Sequence, residues 1–123
     1  MGDLNDDPTN DSVTKYLKAR KKSTGLKEGD LFNPMYSFYK KGLGTTAWRD
    51  AWSLFDQLIV SQGMLDKEDS GFFFWKAKVF NPKHMTQKTG RFKGYPYRSF
   101  VGDTWMGGYS DHFPVYLFLA KEL

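Results

Sequence analysis

Aromatic side chains make up 18% of this 123-residue chain: 11 Phe, 7 Tyr and 4 Trp. Each large ring takes much area out of water, so such a chain is driven to a strongly packed core or to a wide adhesive face. A length of 123 residues suits one domain around one core. Hydrophobic residues at 40% and charged residues at 26% are an ordinary globular balance, which excludes long disorder and collagen-like order. The longest apolar run, Val115 to Ala120, falls far short of the about 20 residues that a membrane-spanning helix needs. The opening Met1-Gly2-Asp3-Leu4-Asn5-Asp6 holds no apolar stretch and is not an intact signal peptide. With no Cys, disulfides, thiol catalysis and cysteine-ligated zinc or iron–sulfur sites are excluded.

The formal net charge of +4 is unevenly spread. Residues 71–100 carry Lys76, Lys78, Lys83, Lys88, Arg91, Lys93 and Arg98 and no acid, interleaved with aromatic side chains. A phosphate-bearing partner suits such a segment. A solvated strand and loop with snorkelling lysines gives the same composition.

No repeat, low-complexity tract or internal linker divides the chain. Asp11 caps an expected helix over 11–21, with Val13, Tyr16 and Leu17 on one face. Asn33-Pro34 and Gly42 bracket a second expected helix over 34–41, with Met35, Phe38 and Tyr39 as its apolar stripe. Gly44–Arg49 and Ser53–Ser61 read as a hairpin turning near Asp50-Ala51. Phe73–Phe80 and Pro114–Leu119 read as further strands, with a long loop over 81–109 between them. The expected inner sheet face draws on Leu58, Val60, Trp75, Val79, Val115, Leu117 and Leu119.

Three constellations carry chemistry. Gly2-Asp3-Leu4-Asn5-Asp6 looks like half a calcium loop, but Pro8 stands where Gly is needed and Thr14 where Glu is needed. In Phe55-Asp56-Gln57-Leu58-Ile59-Val60, Asp56 is a carboxylate in an apolar strand, costly to bury without a partner. Ser110-Asp111-His112-Phe113-Pro114-Val115 puts two titratable side chains at the entry of the last strand.

Taken in that order, Gly-Asp-x-Asn, a strand-borne Asp followed by Gln-Leu-Ile-Val-Ser, and Ser-Asp-His-x-Pro-Val resemble the endonuclease/exonuclease/phosphatase superfamily, of the pancreatic deoxyribonuclease type, and in particular its bacterial, often exported branch. The resemblance runs from Met1 to about Leu119. It implies a mixed α/β fold: half of a four-layer α/β sandwich, with a mostly antiparallel sheet and two short helices. It also implies metal-assisted phosphoester hydrolysis. In that pattern Asp3 orients or deprotonates the attacking water or helps hold a metal, and Asn5 contacts the phosphate or that water. Asp111 matches a metal-site carboxylate, His112 the imidazole that binds the phosphoryl group, and Asp56 the carboxylate that orients His112. The implied cofactor is Mg²⁺, with Mn²⁺ as an alternative, as one or two ions.

The family's early Asn, its main metal-binding Glu and its first His or Tyr have no counterpart here. Glu28, Glu68 and Glu122 lie in loops or at the terminus. The resemblance therefore implies the carboxyl-terminal half of such a hydrolase, inactive alone and partnered by the other half or by a second copy. Phosphate-bearing substrates are expected, nucleic acid among them. Arg91, Lys93 and Arg98 are the expected phosphate contacts, and Trp105 and Tyr109 the expected walls. A non-catalytic module that binds a phosphate ligand or a protein is the alternative. The sequence does not fix localisation; export follows if the parent protein carries a signal peptide.

Overall fold

Short, mostly antiparallel strands build the molecule, and loops are bonded tightly between them. The computed structural model describes residues 1–68 and 71–123. In chain order the elements are β1 Gly2–Asp3, β2 Ala19–Arg20, β3 Leu31–Phe32, α1 Met35–Lys40, β4 Thr46–Trp48 and β5 Ala51–Ser53. They continue with β6 Asp56–Gln57, β7 Phe73–Val79, β8 Phe100–Val101, β9 Thr104–Trp105 and β10 Val115–Ala120. Antiparallel pairs join β1 to β6, β4 to β5, β7 to β10 and β8 to β9, while β2 and β3 run parallel. The fold is thus mixed α/β, with small sheets and few short helices, as the sequence implies. No helix among the described residues is long and apolar enough to cross a membrane.

The core sits where α1 meets the β7–β10 ladder. Met35, Leu54 and Ala77 are buried at its centre, with Phe38, Tyr39, Phe74, Val79, Val115 and Leu117 packed around them. The start and stop of α1 follow the sequence. The Asn33 carboxamide oxygen accepts the Met35 amide at 3.0 Å, and Gly42 takes a left-handed φ of 83° just past the end.

The helix expected over 11–21 is only one turn, Ser12–Tyr16. Lys18 turns left-handed (φ 55°) and the chain then enters β2, where Ala19 is buried against β3. Of the expected apolar stripe only Val13 is buried, and Tyr16 is 76% exposed. Asp11 makes no capping bond. Asp6 instead accepts from Asn10 at 2.7 Å and from Ser12 at 2.6 Å.

The hairpin is shorter than expected and turns one residue earlier. Arg49 and Asp50 both have positive φ, 48° and 66°, the geometry of a tight two-residue turn. Neither is the Gly that such a turn favours. The Tyr95 hydroxyl compensates: it accepts the Asp50 amide at 2.7 Å and donates to the Asp50 carboxylate. Leu58 and Val60 are buried as expected, but they lie beyond the two-residue strand β6.

A register shift in the β7–β10 ladder corrects the expected inner face. Phe118 pairs with Lys76 and Leu119 with Phe74, so Trp75 is the extra residue of a bulge. Phe74 rather than Trp75 therefore joins Ala77 and Val79 in the core. Trp75 is 59% exposed, with the Lys76 ammonium 4.1 Å from its ring centroid. Leu119 is also exposed.

The segment 81–109, expected to be loop, is largely paired with itself. Thr86 bridges Pro96, Gln87 donates to Tyr95 at 2.8 Å, and β8–β9 close a second small hairpin.

Candidate functional site

Two of the three constellations meet through strand pairing. In the β1–β6 ladder Asp3 stands directly opposite Asp56. Leu4 extends the ladder by donating to the Phe55 carbonyl at 2.8 Å, and the Asp7 carboxylate accepts the Leu54 amide at 2.7 Å. Two like charges directly across a ladder repel. A cationic or hydrogen-bonding group beside them offsets that cost, and the third constellation brings one.

His112 Nδ1 lies 2.7 Å from Asp56 Oδ2. Both side chains are partly exposed, 25% for His112 and 19% for Asp56, so the pair opens to solvent. A carboxylate only accepts, so Nδ1 carries the proton of this hydrogen bond and Nε2 takes no part in it. Ligand atoms of Asp3, Asp56 and His112 all fall within 4.8 Å of one another. Asn5 adopts a left-handed φ of 52°, and its amide donates to Asp3 Oδ1 at 2.9 Å, which fixes that carboxylate over the turn.

Thr45 holds the constellations together. Its carbonyl accepts the Phe113 amide at 2.7 Å and its hydroxyl faces the Asp56 amide at 3.4 Å. Phe113 is buried and stacks on Trp52 at 6.1 Å between centroids, which anchors the chain just after His112. On the other flank, Gly108 and Tyr109 donate to the carbonyls of Arg98 and Tyr97 at 3.0 and 2.7 Å. A Cβ on Gly108 would lie 2.2 Å from the Tyr97 oxygen, so only glycine fits this approach.

Below the site lies a buried carboxamide pair. Asn33 Nδ2 donates to Gln57 Oε1 at 2.8 Å, and Gln57 Nε2 donates to the Asp6 carbonyl at 2.6 Å. Both side chains are fully buried. Thr45 and Gln57 were not singled out from the sequence, and Asn33 was read only as a helix boundary. For Gln57 a signal existed: it follows Asp56 in the same apolar run and needs a buried partner for the same reason.

The remaining expected site residues are dispersed. Asp111 does not join the carboxylate–imidazole cluster. Its carbonyl accepts from Thr46 Oγ1 at 3.0 Å while the side chain is exposed. Adjacent side chains on a chain entering a strand diverge, so turning His112 toward Asp56 turns Asp111 away. Arg91 reaches Asp50 at 3.9 Å, and Arg91 and Arg98 share a cavity of about 600 Å³. Lys93, Trp105 and Tyr109 do not line it. Trp105 packs edge-on to Phe100 at 5.0 Å, and Tyr109 edge-on to His84 at 6.0 Å.

Can these residues hold a hard divalent cation? Two ligands at right angles on such an ion, each at about 2.1 Å, stand about 3 Å apart. The 2.7 Å contact of His112 with Asp56 is thus a direct hydrogen bond, not a bridge through a metal. It leaves Asp56 Oδ1 and the second oxygen of Asp3 as donors. One or two carboxylates, completed by water and substrate phosphate, are the usual protein share for Mg²⁺, so the donor set fits.

The fold is that of a phosphoesterase-like domain. Residues 1–121 match the sequence model of the Endonuclease/Exonuclease/phosphatase family, and the chain belongs to that family. No curated protein and no solved structure matches it.

Proposed function

We propose that this chain supplies the phosphate-binding and water-positioning part of a metal-dependent phosphoesterase. The observation that carries the reading is the 2.7 Å Nδ1–Oδ2 contact of His112 with Asp56, set beside Asp3 by the β1–β6 register. Asp56 fixes the ring so that Nε2 points at a phosphoryl oxygen, and the imidazolium form, with a proton on both nitrogens, donates to it as charge develops there. Asp3, held by the Asn5 amide, takes the proton of the attacking water. The water oxygen bonds to phosphorus as the bond from phosphorus to the alcohol oxygen breaks, and the alcohol takes up a proton as it leaves. Asn5 contacts the phosphate or the water. Asp3 and the free Oδ1 of Asp56 would hold the Mg²⁺ or Mn²⁺. Bound there, such an ion would supply positive charge to polarise the phosphoryl group and offset its negative charge.

The cluster offers few carboxylate oxygens, which supports assigning further metal ligands to the amino-terminal half of the same domain. On this reading residues 1–123 are the carboxyl-terminal half, partnered by that segment or by a second copy, and inactive alone. The test is a panel of phosphodiesters, phosphomonoesters and nucleic acids, with and without Mg²⁺, on the intact protein that carries both halves. Turnover that depends on Mg²⁺ and is lost in His112→Ala is expected. Turnover that survives chelation or His112→Ala, or none on any ester, overturns the proposal.

A further inference from the structure

The 600 Å³ cavity is within the range of small-molecule sites, and its lining segments are tied by hydrogen bonds to the loop that carries His112. The loop 108–112 is bonded on one flank to Arg98 and Tyr97 and on the other, through Asp111, to Thr46. Those two flanking segments continue directly into the cavity walls, through Ala47, Trp48 and Arg49 on one side and Pro96 and Arg98 on the other.

The lining residues combine aromatic rings with three arginines. The Arg49 guanidinium lies 5.6 Å from the Trp48 ring centroid, and that of Arg91 lies 5.7 Å from the Phe92 centroid. Tyr95 tilts against Phe92 at 5.3 Å. Asp50 stands beside Arg91 at 3.9 Å. Among the described residues, Arg49 and Arg98 have no carboxylate partner, so the cavity carries unmatched positive charge. Gln87 and Thr104 are its neutral polar side chains, and the rest of the lining is apolar or aromatic.

We propose that this cavity binds the alcohol portion of the substrate, and that this portion is a flat aromatic body carrying a negative charge. That it is a substrate rests on the phosphoester reading above; the binding chemistry stands on the cavity alone. The arginines can donate to a polyhydroxylated ring but not accept from it, so its hydroxyl protons would outnumber the acceptors that Gln87 and Thr104 supply, and unpaired buried hydroxyls are costly. A saturated chain would leave the ring faces and guanidinium planes unused. A flat anion stacks on both and meets the free charge of Arg49 and Arg98.

The test measures binding by tryptophan fluorescence, without metal, for 1-naphthalenesulfonate, 1-octanesulfonate, myo-inositol 1-phosphate and inorganic phosphate. 1-Naphthalenesulfonate is expected to bind at least tenfold more tightly than the other three. Arg98→Gln and Val101→Trp, the second filling the cavity from an exposed position of β8, should each weaken it at least tenfold with an unchanged circular dichroism spectrum. Equal affinity for the four probes, or naphthalenesulfonate binding indifferent to both variants, overturns the assignment. Hydrolysis of methyl 4-sulfo-1-naphthyl phosphate by the intact protein separates the two readings. Tight cavity binding with no turnover of any ester sinks the phosphoester reading and leaves the pocket. Turnover with no preference for aromatic esters sinks the pocket and leaves the hydrolase.

Discussion

His112 and Asp56 stand 56 positions apart in the chain and meet at 2.7 Å. The contact follows from backbone bonds made elsewhere. Thr45 is tied to the residue after His112 and faces the amide of Asp56, while the β1 pairing fixes Asp56 from the opposite edge. The imidazole is thus positioned by three separate segments, so its orientation depends on the folded state.

Removing the orienting carboxylate should be nearly as damaging as removing the imidazole. In the intact protein, Asp56→Asn is expected to lower kcat by about 10²–10⁴-fold with little change in KM. The double variant with His112→Ala should be little worse than either single one, because the two act as a unit. Nitrogen chemical shifts give a readout independent of turnover. Nδ1 of His112 should be protonated in the wild type and lose that preference in Asp56→Asn. An unchanged tautomer would show that the hydrogen bond does not set the ring.

Gly108 tests how the site loop is held. A Cβ there would lie 2.2 Å from the Tyr97 carbonyl oxygen and 2.3 Å from that of Arg98. Backbone atoms on both sides leave no flexible neighbour to move aside. Gly108→Ala is expected to cost about 1–3 kcal/mol, as other overpacked sites do. A melting temperature within a degree of wild type would mean that the loop rearranges freely.

The meeting of Asp56 with His112 was more legible in the sequence than the scaffold that brings them together. Asp56 announced a partner because an unpaired carboxylate between Phe55 and Leu58 is too costly, and Asn33 and Gly42 marked the ends of α1 by local backbone chemistry. Trp75 could not be placed by alternation, because one bulge reverses the face of every residue beyond it. Lys18 gave no sign of ending a helix, since tertiary pairing of Ala19 with Leu31, not propensity, imposes its left-handed turn. The turn at Arg49-Asp50 was displaced by one residue for a similar reason. Its strain is offset by Tyr95, 45 positions away.

The buried carboxamides should be coupled. Asn33→Ala removes both the donor to Gln57 and the acceptor for the Met35 amide, leaving buried groups unpaired. Unfolding by urea is expected to show a loss of about 1–3 kcal/mol. Replacing Gln57 by Leu should cost a similar amount alone and less in the Asn33→Ala background, since the shared bond is already gone. Strict additivity would show that the two side chains act independently.

Asp30 sets an acid limit on the parallel β2–β3 pair. Its carboxylate accepts the Lys27 amide at 3.0 Å and Arg20 Nε at 2.9 Å. Chiefly the Lys27 amide, and then Arg20, hold its pKa below the ordinary carboxylate value, against the opposing effect of burial. A folded-state pKa below the unfolded one means that the ionised form favours folding. That contribution is present in full above about pH 4 and is lost as pH falls through the lower folded value. Asp30→Asn should therefore be less stable than wild type by a constant margin from pH 7 down to about pH 5. The two should converge from about pH 4 downward, as the wild-type carboxyl takes up its proton. Denaturant melts across that range check the sign directly. A margin that widens toward low pH would mean that Asp30 stabilises the fold as a neutral hydrogen-bonding group, not as the anion that closes the 20–30 loop.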